Sequence, residues 1–504
     1  MSIGSREIII VGGGISGLTM AWHLKKAGVD VCLLEADPIV GGCTRTQRRE
    51  GFILEKGPFN VIVRDPAFEA LLDDVSDEVN VVTASRSARK RFIYRRGRLH
   101  AVPTHPIALA MTRLLSVGGR CRLLAGLLAS PRAGGTEETI EQVATRRFGR
   151  ETSDAIVSAA ISGILAGDIT KLSLKACFPA VASIDAEARS LIGYGVKSAL
   201  RAMRKRKGGH RRRWRGLVSI EGGLGALTGA LGRRLGADLL SGCRVEAVRG
   251  PVENRSHTGN RSRAAHRLKT GATGNGYEVD YRDAEGVTHT LQCRRLVLGT
   301  SAAEAGRLLQ PLQPDATAIL SSIESASLVV VNLGFRRSDI GHPMEGFGFL
   351  VPHDEPDFPL MGVLWADSIF PHHAPRDHRL MRVFIGGAGD PEAVERTDEE
   401  LLATATGALR DLLQLSGDPV LVDVCRYPAA IPQYHRGHCE KIERLREAVA
   451  TWPGLHLIGN YLEGVSLNDC VRLGTDASRS RASARTSRTL RPTRAVAVAA
   501  SRTQ

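Results

Sequence analysis

The stretch REIIIVGGGISGLTMAWHLKKAGVDVCLLE, residues 6–35, constrains the fold more than any other part of the chain. EIIIV is a near-continuous β-branched run, the pattern of a strand buried on both faces of a parallel sheet. Gly12, Gly14 and Gly17 follow it in GxGxxG spacing and open a helix from about Ser16 to Lys26, with Gly28 as its stop. The first glycine permits the tight turn, and the second lets a pyrophosphate approach the backbone. The third lets helix and strand pack closely, so that a diphosphate faces the helix N-terminus at Ile15 and Ser16. VDVCLLE reads as the second strand. Glu35 ends it about 20 residues beyond the glycines, where a carboxylate accepts from both ribose hydroxyls and repels a 2′-phosphate. Strand, helix, strand and terminal acid in register predict a bound adenine dinucleotide on an α/β sheet.

That unit alone leaves NAD and FAD open. Five residues after Glu35 the chain enters GGCTRT, where a nicotinamide enzyme would begin its next helix. Gly41 and Gly42 with Thr44 and Arg45 suggest a loop wrapping the rest of an extended cofactor. EKGPFN adds a turn at Gly57 and Pro58 that lets backbone approach a ring system.

At 504 residues two or three domains are expected. The pattern turns mostly helical from about residue 91 to 215, and strand signals resume from YEVDYRD to RVFIGGAG. Thr397 and Glu400 then form a capping box for a helix with Gly417 as its stop. Residues 251–275 lack apolar periodicity and read as a disordered insertion in a hairpin, and after Asp476 the Ser/Arg/Thr/Ala composition predicts a disordered basic tail. The nine scattered cysteines contain no CxxC pair, which argues against a disulfide framework or a zinc site and fits a reducing compartment. His435 and His438 lie three apart with no further ligands converging, so no metal is expected. No signal peptide and no apolar run of about 18 residues is visible. PIALAMTRLLSVGGRCRLLAGLLAS is interrupted by arginines and reads as a buried helix pair or a segment lying on a membrane surface. The net charge of +15 favours an anionic partner. The basic run Arg201–Arg215, with Trp214, leaves nucleic acid, anionic lipid and a solvated face open.

In order along the chain, VGGGISGL, GGCTRT, EKGP, RFIYRRGRLHAVP, ILAGDITKLSLKACFP, SIEGGLGAL, GFGFLVP, GVLWADSIFP, IPQYHRGH and GNYLEGVSLNDCVRLG resemble the protoporphyrinogen oxidase family of the flavin-containing amine oxidase superfamily. The likeness runs from about residue 7 to 476. It implies an α/β fold in which a Rossmann-like FAD-binding domain is interrupted by a helical membrane-facing domain and a mixed-sheet substrate domain. The FAD parts would be 1–90, 214–305 and 437–476, the helical region 91–213, the substrate sheet 306–436 and the tail 477–504.

The resemblance further implies six-electron oxidation of protoporphyrinogen IX to protoporphyrin IX in haem biosynthesis, with FAD as acceptor and oxygen as reoxidant. Coproporphyrinogen III oxidation, another amine or polyene oxidase chemistry, and a non-catalytic flavoprotein are the alternatives. An amine oxidase should cage its amine with aromatic residues, and only 5% of this chain is aromatic. No side chain need act on the reacting bond, since the flavin takes the hydride. Arg91 would pair a propionate, because guanidinium binds carboxylate bidentately. Phe347, Gly348 and Leu350 would line the macrocycle, with Leu165 an apolar contact where relatives commonly carry an aromatic residue. Val245 would meet the adenine through its backbone, while Gly459, Asn460, Gly464 and Val465 close over the flavin. TSAA at Thr300–Ala303 replaces the family's more usual TPA turn. The implied setting is cytoplasmic, peripheral on the anionic inner face of the cell membrane, with ferrochelatase or a second copy of the chain as protein partners and no nucleic acid.

Overall fold

The computed structural model describes residues 4–102, 111–128, 136–187, 213–214, 216–250 and 276–489. Its frame is a pair of large sheets. The first has the strand order Leu239–Ser241, Val31–Glu35, Gly4–Val11, Thr288–Leu298, Tyr277–Arg282, Arg244–Arg249, and Leu455–Leu457 pairs with the end of Thr288–Leu298. Gly4–Val11 sits in the middle, parallel to both neighbours, with Ile8 opposite Val31 and Arg295. Both of its faces are covered, which is why its apolar run is continuous. Ile8 and Ile10 pack with the helices Ile15–Lys26 and Gly225–Leu235, whereas Ile9 and Val11 pack with Ala302–Leu309 and His438–Ala450. Each large apolar side chain buried in this way contributes about 1.5–3 kcal/mol.

The second sheet runs Leu421–Pro432, Ser325–Arg336, His378–Gly386, Gly362–Trp365, Gly348–Leu350, Phe92–Arg95, Arg98–Ala101. One face buries Val331, Val383, Val363 and Phe349 under the helix Asp398–Leu413. The opposite face carries a row of register partners, Asp423, Asn332, Arg382, Leu364 and Gly348, and turns toward the first sheet.

Several expectations change. Residues 92–101, placed in a helical region, form a hairpin on this second sheet, because Phe92 and Ile93 pair with Phe349 and Leu350 in strand register. The capping box at Thr397 and Glu400 is present, yet its helix ends at Leu413, with Gln414 rather than Gly417 in the left-handed region at φ 54°. That turn lets the Leu415 amide reach back to the Arg410 carbonyl at 2.8 Å while its side chain is buried. The closing helix Leu467–Thr489 continues past Asp476, where order was expected to end. Val471, Thr475 and Ser478 anchor it, and the Ala- and Arg-containing sequence beyond has the propensity to extend it. In the arginine-interrupted apolar stretch, Leu123 of the helix Val117–Leu128 is buried while Met111, Val117 and Leu124 are exposed. The 251–275 insertion and most of the basic run at 201–215 lie outside the described residues.

Candidate active site

The glycine turn behaves as its spacing requires. A Cβ on Gly12, at φ 106°, would lie 2.6 Å from the Gly299 carbonyl, and one on Gly17 would lie 2.0 Å from the Gly12 carbonyl. A Cβ on Gly14 meets nothing within 4 Å, so the open side of the turn is where a phosphate has room. Gly14 caps the helix from Ile15 with no side-chain acceptor and no acid in the first turn, leaving its amides free for an anion, and Ser16 is buried beside them. Glu35 is pinned at the end of its strand, its carboxylate accepting from the amides of Gly13 at 2.6 Å and Asp37 at 2.9 Å.

Three further segments converge on this turn. The Gly41 amide donates to the Gly13 carbonyl at 2.7 Å, and a Cβ on Gly42 would come within 3.4 Å of the Gly14 Cα, so the glycine pairs face each other. Thr44 is buried with its hydroxyl unpartnered among the described residues, and so is the Arg45 Nε, while the other end of that guanidinium pairs with Asp37. Gly57, followed by Pro58, packs so tightly that a Cβ would sit 2.3 Å from the Cys43 carbonyl. Val245 is buried on Arg244–Arg249 at a bulge near Glu35, where the Cys243 amide reaches the Glu35 carbonyl at 2.7 Å. The Val245 carbonyl accepts from Arg307 at 2.8 Å.

The C-terminal motif arrives from the other end of the chain. A Cβ on Gly459 would strike the Tyr461 ring at 2.6 Å, and one on Gly464, at φ 73°, would strike Asp469 at 2.3 Å. The Asn460 carbonyl accepts from the Tyr434 hydroxyl. Where the last helix crosses the first, a Cβ on Gly474 would lie 2.5 Å from the Ser16 carbonyl. An extended dinucleotide fits this cradle: backbone faces it from several segments, and Thr44 Oγ1 and Arg45 Nε are buried without partners among the described residues.

The second sheet supplies the other wall. Arg91 is exposed at the start of the hairpin, with its guanidinium 4.9 Å from the centre of the Phe347 ring. The Phe347 amide bonds the Lys90 carbonyl at 2.7 Å, which locks the two segments together. Gly348 has φ 126°, and a Cβ there would collide with the Val363 carbonyl at 1.9 Å. Leu350 leans on Gly163, where a Cβ would meet it at 2.4 Å, and Leu165 shares a small apolar cluster with Val465 of the C-terminal motif. The expected substrate residues thus form two groups. Phe347, with Arg91 over its ring, borders the cluster of Phe52, Phe59 and Phe370, whereas Leu350, Leu165 and Val465 pack with the helical region.

The sequence reading missed the buried polar groups between the walls. Glu55 accepts from Thr46 Oγ1 and from the Leu224 amide, both at 2.7 Å, and burial pushes its carboxyl up to about 7. Lys56 donates to Asp423 at 2.8 and 3.0 Å, and the Asp423 carboxyl is held below its usual range by Lys56 and Asn332 despite being partly desolvated. Arg382 lies wholly buried with one donor on the Gly57 carbonyl at 3.0 Å. The signal was available: an arginine between Met381 and Val383 interrupts an otherwise apolar strand. Gln433 and Tyr434, within IPQYHRGH, show no role from local spacing. They tie the Leu165 carbonyl, at 2.9 Å, and the Asn460 carbonyl to one strand end. His438 stacks on Tyr434 with ring centres 4.0 Å apart, and burial lowers it to about 4, while His435 turns to Glu324.

Residues 15–480 match the family described as flavin containing amine oxidoreductase. Coproporphyrinogen III oxidase of Bacillus subtilis (strain 168) is 28% identical over 95% of this chain and 98% of its own length. The chloroplastic protoporphyrinogen oxidase of Oryza sativa subsp. japonica is 30% identical over 93% of this chain and 86% of its own. A crystal structure from Exiguobacterium sp. 255-15, titled as a candidate protoporphyrinogen oxidase, superposes with a TM-score of 0.75 at 25% identity, covering 96% of this chain and 100% of that one.

Proposed function

Because the chain belongs to the flavin-containing amine oxidoreductase family, we propose that it is a porphyrinogen oxidase that converts protoporphyrinogen IX to protoporphyrin IX, with oxygen as the final acceptor. The chain is an oxidoreductase and its cofactor is FAD. The observation that carries the substrate reading is the pairing of an exposed guanidinium, Arg91, with the Phe347 ring at the edge of a sheet that faces the flavin-binding turns. A flat apolar macrocycle bearing carboxylates needs those two things next to each other.

Bound FAD supplies the hydride-accepting ring, and the macrocycle's gain of aromaticity drives the reaction. The protein's part is to hold and exclude. Gly12, Gly14, Ile15, Ser16 and Gly17 take the diphosphate, and Glu35 the adenosine ribose, with the Val245 backbone beside the adenine. Gly41, Gly42, Thr44, Arg45, Gly57 and Pro58 line one side of the cofactor, and Gly459, Asn460, Gly464 and Val465 the other. Arg91 anchors a propionate while Phe347, Gly348, Leu350 and Leu165 present apolar surface to the ring. The Gly348 backbone, where no side chain fits, keeps that surface flat.

Incubating the holoenzyme with protoporphyrinogen IX in air should produce porphyrin fluorescence and hydrogen peroxide; silence with every porphyrinogen offered overturns the proposal. Coproporphyrinogen III is the second reading, favoured by the Bacillus subtilis relative, which matches over 98% of its length. The ratio of kcat/KM for the two porphyrinogens decides between them.

We place the enzyme on the inner face of the cell membrane. Among the described residues no helix is long and apolar enough to cross a membrane, yet Met111, Val117, Leu124, Ile164 and Val181, all in the helical region, are 39–73% exposed. With the basic run nearby in sequence they suit an anionic lipid surface. Co-sedimentation with anionic but not zwitterionic vesicles is the expected result. Ferrochelatase and a second copy of the chain are the proposed protein partners, to be tested by co-elution of the purified proteins.

A further inference from the structure

The site described so far leaves one buried cation without a task. Arg382 is 1% exposed and stands in register between Asn332 and Leu364 on the face of the second sheet that turns toward the flavin loops. One terminal nitrogen donates to the Gly57 carbonyl at 3.0 Å, while Nε and the other terminal nitrogen find no acceptor among the described residues. The guanidinium instead lies 5.4 Å from the Phe59 ring and 5.9 Å from the Phe384 ring. Burial lowers the guanidinium's pKa, yet arginine stays protonated in such surroundings, so the charge is present and no carboxylate bonds it directly. A buried, incompletely paired ion costs stability relative to an apolar residue of similar volume, which makes its position informative.

Its neighbours do not cancel it. Lys56 spends its charge on Asp423, at 2.8 and 3.0 Å, and Asp423 also takes the Asn332 amide at 2.9 Å. Glu55, the other acid of the cluster, is bonded to Thr46 and Leu224 instead of Arg382. Burial pushes it up to about 7, so it is only partly ionised at neutral pH. Lys56 and Arg382 against Asp423 and a fraction of Glu55 leave a net positive charge behind the turn Glu55–Pro58. That turn touches the Gly41–Arg45 loop directly, since Gly57 packs against the Cys43 carbonyl with no room for a side chain.

We propose that Arg382 is a positioning residue for the flavin: its bond to the Gly57 carbonyl fixes the turn, and its unneutralised charge favours the reduced cofactor over the oxidised one. The proposal rests on the FAD assignment and on Gly57 lining the cofactor, and is independent of which porphyrinogen is the substrate. In the electron balance, a C–H bond of the donor breaks and its electron pair and proton pass to the flavin as hydride. The cofactor thereby becomes one negative charge richer, and a fixed cation nearby stabilises that state more than the starting one.

The test is the midpoint potential of the bound flavin, measured on holoenzyme by spectroscopic titration against a reference dye with no porphyrinogen present. Arg382→Met should lose at least tenfold in preference for the reduced flavin, a fall of about 30 mV for a two-electron couple. Arg382→Lys, which keeps the charge, should restore most of that loss. Asp423→Asn, which removes the neighbouring anion, should move the potential upward, and it carries the test alone where Arg382→Met yields no folded holoenzyme. A merely structural arginine would lower stability and leave the potential in place. An unchanged potential in Arg382→Met, or a fall in Asp423→Asn, overturns the proposal. Wild-type protein that retains no FAD overturns the cofactor assignment itself, an outcome distinct from a flat potential.

Discussion

Around the first helix the site is made of main chain, whereas across the second sheet it is made of side chains. Gly12, Gly14, Gly17, Gly41 and Gly57 offer backbone only, and at most of them a single added carbon has no place to go. At the sheet, Arg91, Phe347 and Leu350, with Leu165 of a neighbouring helix, present chemistry of their own, supported by the buried charges of Lys56, Asp423 and Arg382. The contrast teaches where specificity resides. On the proposed roles, a cofactor shared by many enzymes is held by geometry that any sequence with the right glycines can supply, whereas the substrate is chosen by particular groups on a rigid floor.

If that division is right, the largest effects should come from filling the backbone cradle. Gly17→Ala puts a carbon 2.0 Å from the Gly12 carbonyl, so we expect a loss of at least about 4 kcal/mol in stability and little recoverable holoenzyme by thermal melting and flavin absorbance. Gly14→Ala sharpens the point, because its Cβ faces open space. The fold should melt within a few degrees of wild type while FAD affinity falls steeply, and a parallel loss of both properties would break the distinction.

Glu55 lies at the seam between the two halves and gives the next effect. Its carboxyl is raised from 4.5 to about 7 by burial, so the protonated form is the one that folding favours. The stability this contributes is fully present below about pH 4.5 and is lost as pH rises through about 7, by up to about 3 kcal/mol. Glu55→Gln mimics the protonated carboxyl, its oxygen accepting from the Leu224 amide and its amide nitrogen donating to Thr46 Oγ1, and should show a flatter stability profile over that window in chemical denaturation; an equally steep one contradicts the assignment.

Glu35→Ala removes the carboxylate held by Gly13 and Asp37 and should weaken FAD binding by about 10- to 100-fold, read by ultrafiltration of the holoenzyme; full flavin occupancy would remove its ribose role. The smallest effect belongs to Arg91, the proposed substrate anchor. Arg91→Ala should raise KM about tenfold with kcat nearly unchanged, since it removes mainly ground-state binding, and an unchanged KM rejects it as the propionate partner.

The cofactor half was the more legible one because local spacing encodes it. Strand, glycine turn, helix, second strand and Glu35 follow each other within 30 residues, and the helix boundaries match to within a residue or two. The floor depends on pairing between strands remote in sequence. Nothing local in RFIY announces that Phe92 lies beside Phe349, or that Arg382 shares a row with Asn332 and Asp423. Strand existence was readable from Val329–Leu333, but register is fixed by partners that periodicity cannot name. Gln433 and Tyr434 illustrate the same limit, since their function is to hold carbonyls 268 and 26 residues away.

The crossing of the last helix over the first has a consequence for how the enzyme comes into being. Ser16 and Gly474 are pressed together, and Asn468 receives the amides of Arg64 and Asp65. A nascent chain therefore makes its phosphate turn long before the helix that covers it, and the turn stays open until that helix is made. Flavin retention should therefore require the last helix, and chains truncated before the GNYLEGVSLNDC motif should purify without flavin absorbance.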